Sequence, residues 1–320
     1  MWMCVRALPL AAAVLLVGCD DLGDWGNSER FKEDFHGVFP LNAGGTVSLE
    51  TFNGSVEVLG WDQNSVDVSA TKYASTKEQV DAIKIDVAAA TAGSVRVRAI
   101  RPSNAGWHGN MGARFTIRVP KHVQLDGISS SNGAVKVDGI DGPARLHTSN
   151  GAIRVTKLHG ELEARTSNGS IDTQDLDGDA NLHTSNGAIR VDASHGSFEA
   201  TTSNGSIIAN LTDPGTARAL KLHSSNGKIE LTMQGSRLPD VRADTSNSAL
   251  TLRLPANANA RVRAYTTHSS VTSDFDTLTA HGGDGSSGKH NKSEVEGNIG
   301  SGGPMIELSS SNGHIKISKM

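Results

Sequence analysis

The chain has 320 residues, of which 4% are aromatic, with 35 glycines and a formal net charge of -4. That charge offers no basic field to nucleic acid, and so few large side chains exclude a globular core built on aromatics. A thin, repetitive architecture fits this composition better.

The first element is a leader. Arg6 precedes the apolar run Ala7 to Val17, which ends at Gly18-Cys19. The run falls short of the roughly 20 apolar residues that a membrane-spanning helix needs, so it reads as a signal-peptide core. Its ending, Leu16-Val17-Gly18-Cys19, resembles the lipobox of bacterial lipoproteins. The resemblance implies that residues 1–18 are removed and that Cys19 is acylated, anchoring the chain to a membrane of the cell envelope. Cys4 leaves with the leader, so no disulfide framework remains, and a lipidated Cys19 has no thiol left for catalysis or metal binding. Asp20 follows the anchor. An acidic residue there retains lipoproteins in the inner membrane only in some lineages, so inner versus outer membrane stays open. Residues 19–35, polar and charged for the most part, read as a tether.

The next stretch, 36–126, alternates irregularly. Strand-like runs occur at Thr46 to Leu49, Ser55 to Leu59, Ser65 to Ala70, Ser94 to Ala99 and Phe115 to Val119, with room for a short helix over Thr76 to Ile83. This part reads as an extension of one sheet system, capping the open edge of the repetitive segment C-terminal to it.

From residue 127 to 320 the chain repeats. Ser-Asn-Gly recurs with its asparagine at Asn132, Asn150, Asn168, Asn186 and Asn204, an 18-residue step four times running. The series loosens through Asn226 and Asn247, where Ser248 replaces glycine, and returns at Asn312; Asn53-Gly54 is an early outlier. After each turn one column reads Val135, Ile153, Ile171, Ile189, Ile207, Ile229, Leu250, Val271, Ile315, and a polar residue separates it from a second, mostly apolar column. That is a half-buried strand. A second strand, such as Ala144 to Thr148 or Ala180 to Thr184, follows glycines 142, 160, 178 and 196.

Asn-Gly between alternating strands also signals a hairpin, so a meander or propeller competes with a solenoid. A constant step with isoleucine on isoleucine favours stacked coils about 4.8 Å apart. The expected fold is therefore all-β: a single-domain β-solenoid (β-helix) of roughly 18-residue coils with an irregular β-rich N-terminal part. Residues 281–304, rich in Gly and Ser, read as a loop excursion from a late coil. Asn132, Asn150, Asn168, Asn186, Asn204, Asn226 and Asn312 are expected to form a structural turn ladder, through tolerance of left-handed backbone and amide bonds from coil to coil.

Phe52-Asn53-Gly54-Ser55-Val56, Val58-Leu59-Gly60-Trp61-Asp62, Val119-Pro120-Lys121 and the Ser-Asn-Gly units together resemble a bacterial adhesin-like domain family of unknown function. The resemblance covers His36 to Ile317. It implies a β-helical fold and no assigned catalytic activity.

Catalytic chemistry finds little purchase. His147, His183 and His223 hold equivalent places, but Arg165 intervenes between the first two, and a two-coil separation of about 9.6 Å exceeds shared metal ligation. Asp172, Asp175, Asp177 and Asp179, like Asp138 and Asp141, lie around tight glycine turns, where acids serve the turn. Gly283 to Gly288 with Lys289 has phosphate-loop spacing, yet His290 stands where Ser or Thr should be. No catalytic, cofactor or metal residues are expected. The leading expectation is a non-enzymatic envelope lipoprotein acting as an interaction or structural module, with the membrane and an envelope glycan or protein as partners. The alternatives are a β-helical enzyme on envelope polysaccharide, told apart by close carboxylates in a cleft, and an envelope-stress signalling accessory.

Overall fold

Residues 29–90, 92–103, 110–212, 219–235, 237–282 and 293–320 are described by a computed structural model of the chain. The alternation of aliphatic and polar residues makes strands with one buried side. The irregular part holds β1 (Phe31–Pro40), β2 (Thr46–Thr51), β3 (Val56–Trp61), β4 (Ser65–Ala74), α1 (Lys77–Ala82), β5 (Lys84–Ala90), β6 (Ser94–Ile100) and β7 (Gly112–Pro120). The regular coils hold β8 (Gln124–Ser130), β9 (Val135–Asp141), β10 (Ala144–Thr148), β11 (Ile153–His159), β12 (Leu162–Thr166), β13 (Ile171–Asp177), β14 (Ala180–Thr184) and β15 (Ile189–His195). They continue through β16 (Phe198–Thr202), β17 (Ile207–Leu211), β18 (Ala219–Ser224), β19 (Ile229–Met233), β20 (Asp240–Thr245) and β21 (Leu250–Leu254). The last elements are β22 (Ala260–Thr266), β23 (Val271–Ser273), β24 (Leu278–Gly282), β25 (Ser293–Ile299), β26 (Met305–Ser310) and β27 (Ile315–Lys319).

Each coil contributes one strand to each of two sheets, and successive coils pair in parallel, as β11 does with β9 and β13. The chain is thus an all-β solenoid, and the Ser-Asn-Gly turn joins strands of different sheets, which removes the hairpin alternative. Val135, Ile153, Ile171, Ile189, Ile207, Ile229, Leu250 and Ile315 are all buried. Each such side chain contributes about 1.5–3 kcal/mol against exposure. Facing them, Ala144 and Leu146 are followed one coil on by Leu162 and Ala164, then by Ala180 and Leu182, then by Phe198 and Ala200. Small and large residues swap places at each step, so every coil fills the same volume without aromatics.

Both ends depart from chain order. At the N-terminal end β2 and β3 form a coil that sits between β8/β9 and the later β6/β7. At the other end β26/β27 fills the place between β20/β21 and the earlier β22/β23. Antiparallel strands then close the stack: β4 on β7, β1 on β4 and β5 on β6 at one end, β25 on β22 and β24 on β25 at the other. A change of strand direction and charged residues on β1 make these edges poor templates for another copy.

Three boundaries shift. Phe31 to Phe35, read as tether, belong to β1; Phe35, Gly37 and Phe39 face inward while Lys32, Asp34 and His36 face out, and the charges that suggested a tether are those of an edge strand. The stack also begins before residue 127, because the Asn53-Gly54 turn closes a full coil. Within 281–304, β25 is a strand whose buried Val295 and Ile299 alternate with Glu294, Glu296 and Asn298. Its glycines and acids mimic loop composition. The phosphate-loop-like residues, Gly283 to His290, lie outside the described residues.

Candidate functional site

The turn Thr-Ser-Asn-Gly is the unit from which one edge of the stack is built. In the coil of β14, Thr184 is buried, and its Oγ1 accepts the N–H of Gly187 at 3.2 Å while donating to the Gly169 carbonyl of the previous coil at 2.9 Å. Ser130, Thr148, Thr166, Thr202 and Ser224 do the same in their coils. Each hydroxyl thereby satisfies two backbone groups that would otherwise be buried without partners. Sequence reasoning misses this hydroxyl ladder, although its signal, a Ser or Thr three residues before each turn glycine, is present in every unit.

Outside the hydroxyls runs the asparagine ladder. Asn150 Nδ2 donates to Asn132 Oδ1 at 2.6 Å, Asn168 to Asn150 and Asn186 to Asn168 at 2.7 Å, and Asn204 to Asn186 and Asn226 to Asn204 at 2.8 Å. Asn312 donates not to Asn226 but to Asn247, which in turn donates to Asn226, both at 2.7 Å. At the other end Asn132 donates to Asn53, whose own Nδ2 donates to the Met111 carbonyl. Asn53 and Asn247 therefore belong to the ladder. All its amides point the same way along the stack.

One reason given for these asparagines fails. Among the described residues only Ala92, Lys157 and Asp175 combine a side chain with positive φ, so no ladder asparagine is left-handed. The amide bonds alone account for the residue type. The turn glycines answer to space instead: a Cβ on Gly133, Gly151, Gly169, Gly187, Gly205, Gly227 or Gly313 would lie 1.6 to 1.9 Å from a carbonyl oxygen one coil away.

The outward faces carry columns of paired charge. Lys136 meets Glu57 at 2.7 Å, Arg190 meets Asp172 at 3.4 Å, and Asp172 also reaches Arg154 at 4.0 Å. On the other sheet Arg145 lies between Asp126 at 2.7 Å and Glu163 at 3.7 Å. The hydrogen bond and charge of Glu57 raise the Lys136 pKa, and Lys228 bound to Glu230 lowers that of the carboxyl. These groups are solvent-facing, so each pair is worth little on its own, and the columns set register more than they stabilise.

Five of the histidines fall into two columns. His147, Arg165 and His183 are successive neighbours in one column, and Thr201 separates His183 from His223, which pairs with Asp244. At the opposite corner, Asp141, His159, Asp177 and His195 alternate along a second column, with His159 Nδ1 2.8 Å from Asp141 and His195 Nδ1 3.5 Å from Asp177. Among the described residues no group of three or more His, Cys, Asp or Glu is placed to hold a metal ion.

The densest acidic segment is dispersed by its own strand. Asp172 faces its arginines, Asp175 occupies a bulge at φ 58°, Asp177 pairs with His195, and Asp179 Oδ1 accepts the Ser197 N–H at 2.8 Å. Asp138 faces outward from β9, beside Thr156 of the next coil. Cys19 lies outside the described residues, and among those described no helix is long and apolar enough to cross a membrane.

No protein-family model and no curated protein matches the chain. Among solved structures it is similar to a candidate cell adhesion protein from Clostridium sporogenes, with 11% identity, 89% of this chain and 99% of the other covered, and a TM-score of 0.26. It is also similar to a candidate adhesin from Bacteroides fragilis, with 12% identity, coverage of 90% and 97%, and a TM-score of 0.37. Both neighbours are bacterial proteins named for adhesion.

Proposed function

We propose that the chain is a non-enzymatic interaction or structural module of the bacterial cell envelope, held to a membrane by a lipid on Cys19. The observation that carries this reading is the pair of outward faces, on which carboxylates such as Asp126, Glu163 and Asp172 are each matched by a basic side chain of a neighbouring coil. Among the described residues, Asp126, Glu163 and Asp172 are committed to such pairs and Asp179 to a turn, so these four acids do not stand as the free carboxylate pair that glycoside chemistry uses. A rigid, repetitive face suits an extended partner such as a polysaccharide or a protein.

Two experiments test it. Cys19→Ala is expected to move the protein from the membrane fraction to the soluble one, and unchanged fractionation contradicts the anchor. A pull-down from envelope extract with the full chain is expected to retain a glycan or protein partner. Release of new sugar ends from an envelope glycan panel would instead establish an enzyme.

A further inference from the structure

The outward face of the terminal coils differs from the rest of the stack. Most of its positions are polar or charged, with Ile100 on β6 and Met305 on β26 as exposed aliphatic exceptions, and on β22 the aromatic Tyr265 projects from it with 41% of its surface exposed. Its register neighbours are Ser309 on β26 and Glu294 on β25. Arg263, two residues earlier on the same face, donates through Nε to Glu294 Oε1 at 2.9 Å. Tyr265, Arg263 and Glu294, together with Thr266, Thr267 and Ser293, line a concavity of about 280 Å³. That volume is close to the lower end of small-molecule sites, about 300 Å³, and is on the scale of a single sugar ring.

We propose that this concavity binds one pyranose ring of a neutral glycan. An exposed phenol offers an apolar face with a polar tip, the surface on which the C–H face of a sugar stacks. Arg263 and Glu294 neutralise each other, which disfavours an anionic chain. A guanidinium has five N–H donors, and the bond from Nε leaves the others for hydroxyls, while Glu294 supplies the matching acceptor. Ser293 Oγ accepts the Val271 N–H at 3.2 Å, and its own proton is left to donate. The rest of the sugar chain would lie along the outward face, where Glu307 and Arg242 continue the Arg263 row toward the middle of the stack. The position fits the task, because ten strand steps separate β22 from β6 at the end where the described chain emerges. At about 4.8 Å per step this places the site about 48 Å from the tethered end.

The inference deepens the interaction-module reading and rests on it, so its test is chosen to fail separately. The full chain is titrated with neutral hexasaccharides of β-1,4-glucan, α-1,4-glucan, β-1,4-xylan and α-1,6-mannan, read by saturation-transfer NMR and calorimetry. At least one is expected to bind. Tyr265→Ala is expected to weaken that binding tenfold or more with an unchanged unfolding midpoint, and Tyr265→Phe to keep it within about twofold, because stacking needs the ring rather than the hydroxyl. Binding that survives Tyr265→Ala overturns this site and leaves the module reading intact. Absence of binding by all four sugars overturns it too, as does a salt-sensitive preference for polygalacturonate or capture of a protein through this face.

Discussion

Gly187 lies so close over Gly169 of the preceding coil that a Cβ would stand 1.8 Å from the Gly169 carbonyl oxygen. The same oxygen accepts the Thr184 hydroxyl, so the turn is closed by one contact that forbids a side chain and one that demands a donor. The exception supports the rule. In the coil where Ser248 replaces glycine, Thr245 Oγ1 still donates to Gly227, but the N–H of residue 248 makes no bond to that hydroxyl.

Gly187→Ser is therefore expected to open the turn in the same way and to destabilise the fold by about 1–3 kcal/mol, the usual cost of overpacking a close contact. Urea unfolding checks it. An unchanged midpoint would mean that the coils do not approach as closely as the carbonyl contact requires.

Two threonines of one coil pair should respond in opposite directions. Thr173 is buried in the inner column between Val155 and Val191, and its hydroxyl has no partner. Thr173→Val keeps the shape and removes a desolvated polar group, so it is expected to stabilise by about 1 kcal/mol. Thr184→Val deletes both bonds of the hydroxyl ladder at that coil and is expected to cost about 1–3 kcal/mol. Thermal unfolding midpoints of the two variants decide it; a shift of the same sign in both would refute the assignment of their roles.

The asparagine ladder predicts a pH-dependent contrast. Asn186 donates to Asn168 and accepts from Asn204. Asn186→Ala breaks both bonds at an exposed edge, at about 0.5–1.5 kcal/mol. Asn186→Asp keeps the acceptor but, when ionised, turns an oxygen toward Asn168 Oδ1. It is expected to be the worse variant at pH 7 and to approach the wild type at pH 3, where a protonated carboxyl donates again. Equal stability of the two variants at both pH values would show that the amides do not bond along the stack.

Much of this architecture is legible in the sequence because the repeat is translational. Residues 18 apart meet, so columns written from the sequence are the columns of the sheet, from Val135 to Ile207. The ends are not legible in that way. There the chain skips a position and returns, so Asn312 meets Asn247 and β26 meets β20 across a long intervening segment, and no local pattern encodes that order. The hydroxyl ladder was hidden for a different reason: Thr and Ser before an Asn-Gly turn read as turn composition, and only burial shows that they point inward. Tyr265 gives no periodic signal, being a single aromatic in a polar column.

The solenoid and its inverted order are tested most directly by pulsed electron spin resonance between nitroxides on one outward column. Arg145, Lys221, Arg242, Glu307 and Arg263 share that column in this spatial order. With one label at Arg145, the expected distances are about 19 Å to Lys221, 24 Å to Arg242, 29 Å to Glu307 and 34 Å to Arg263, growing by one strand step each time. The decisive comparison is the last two: Glu307, the more distant in sequence, should be the nearer in space. A shorter distance to Arg263 than to Glu307, or distances that do not grow along the series, would contradict the stacked and interleaved coils.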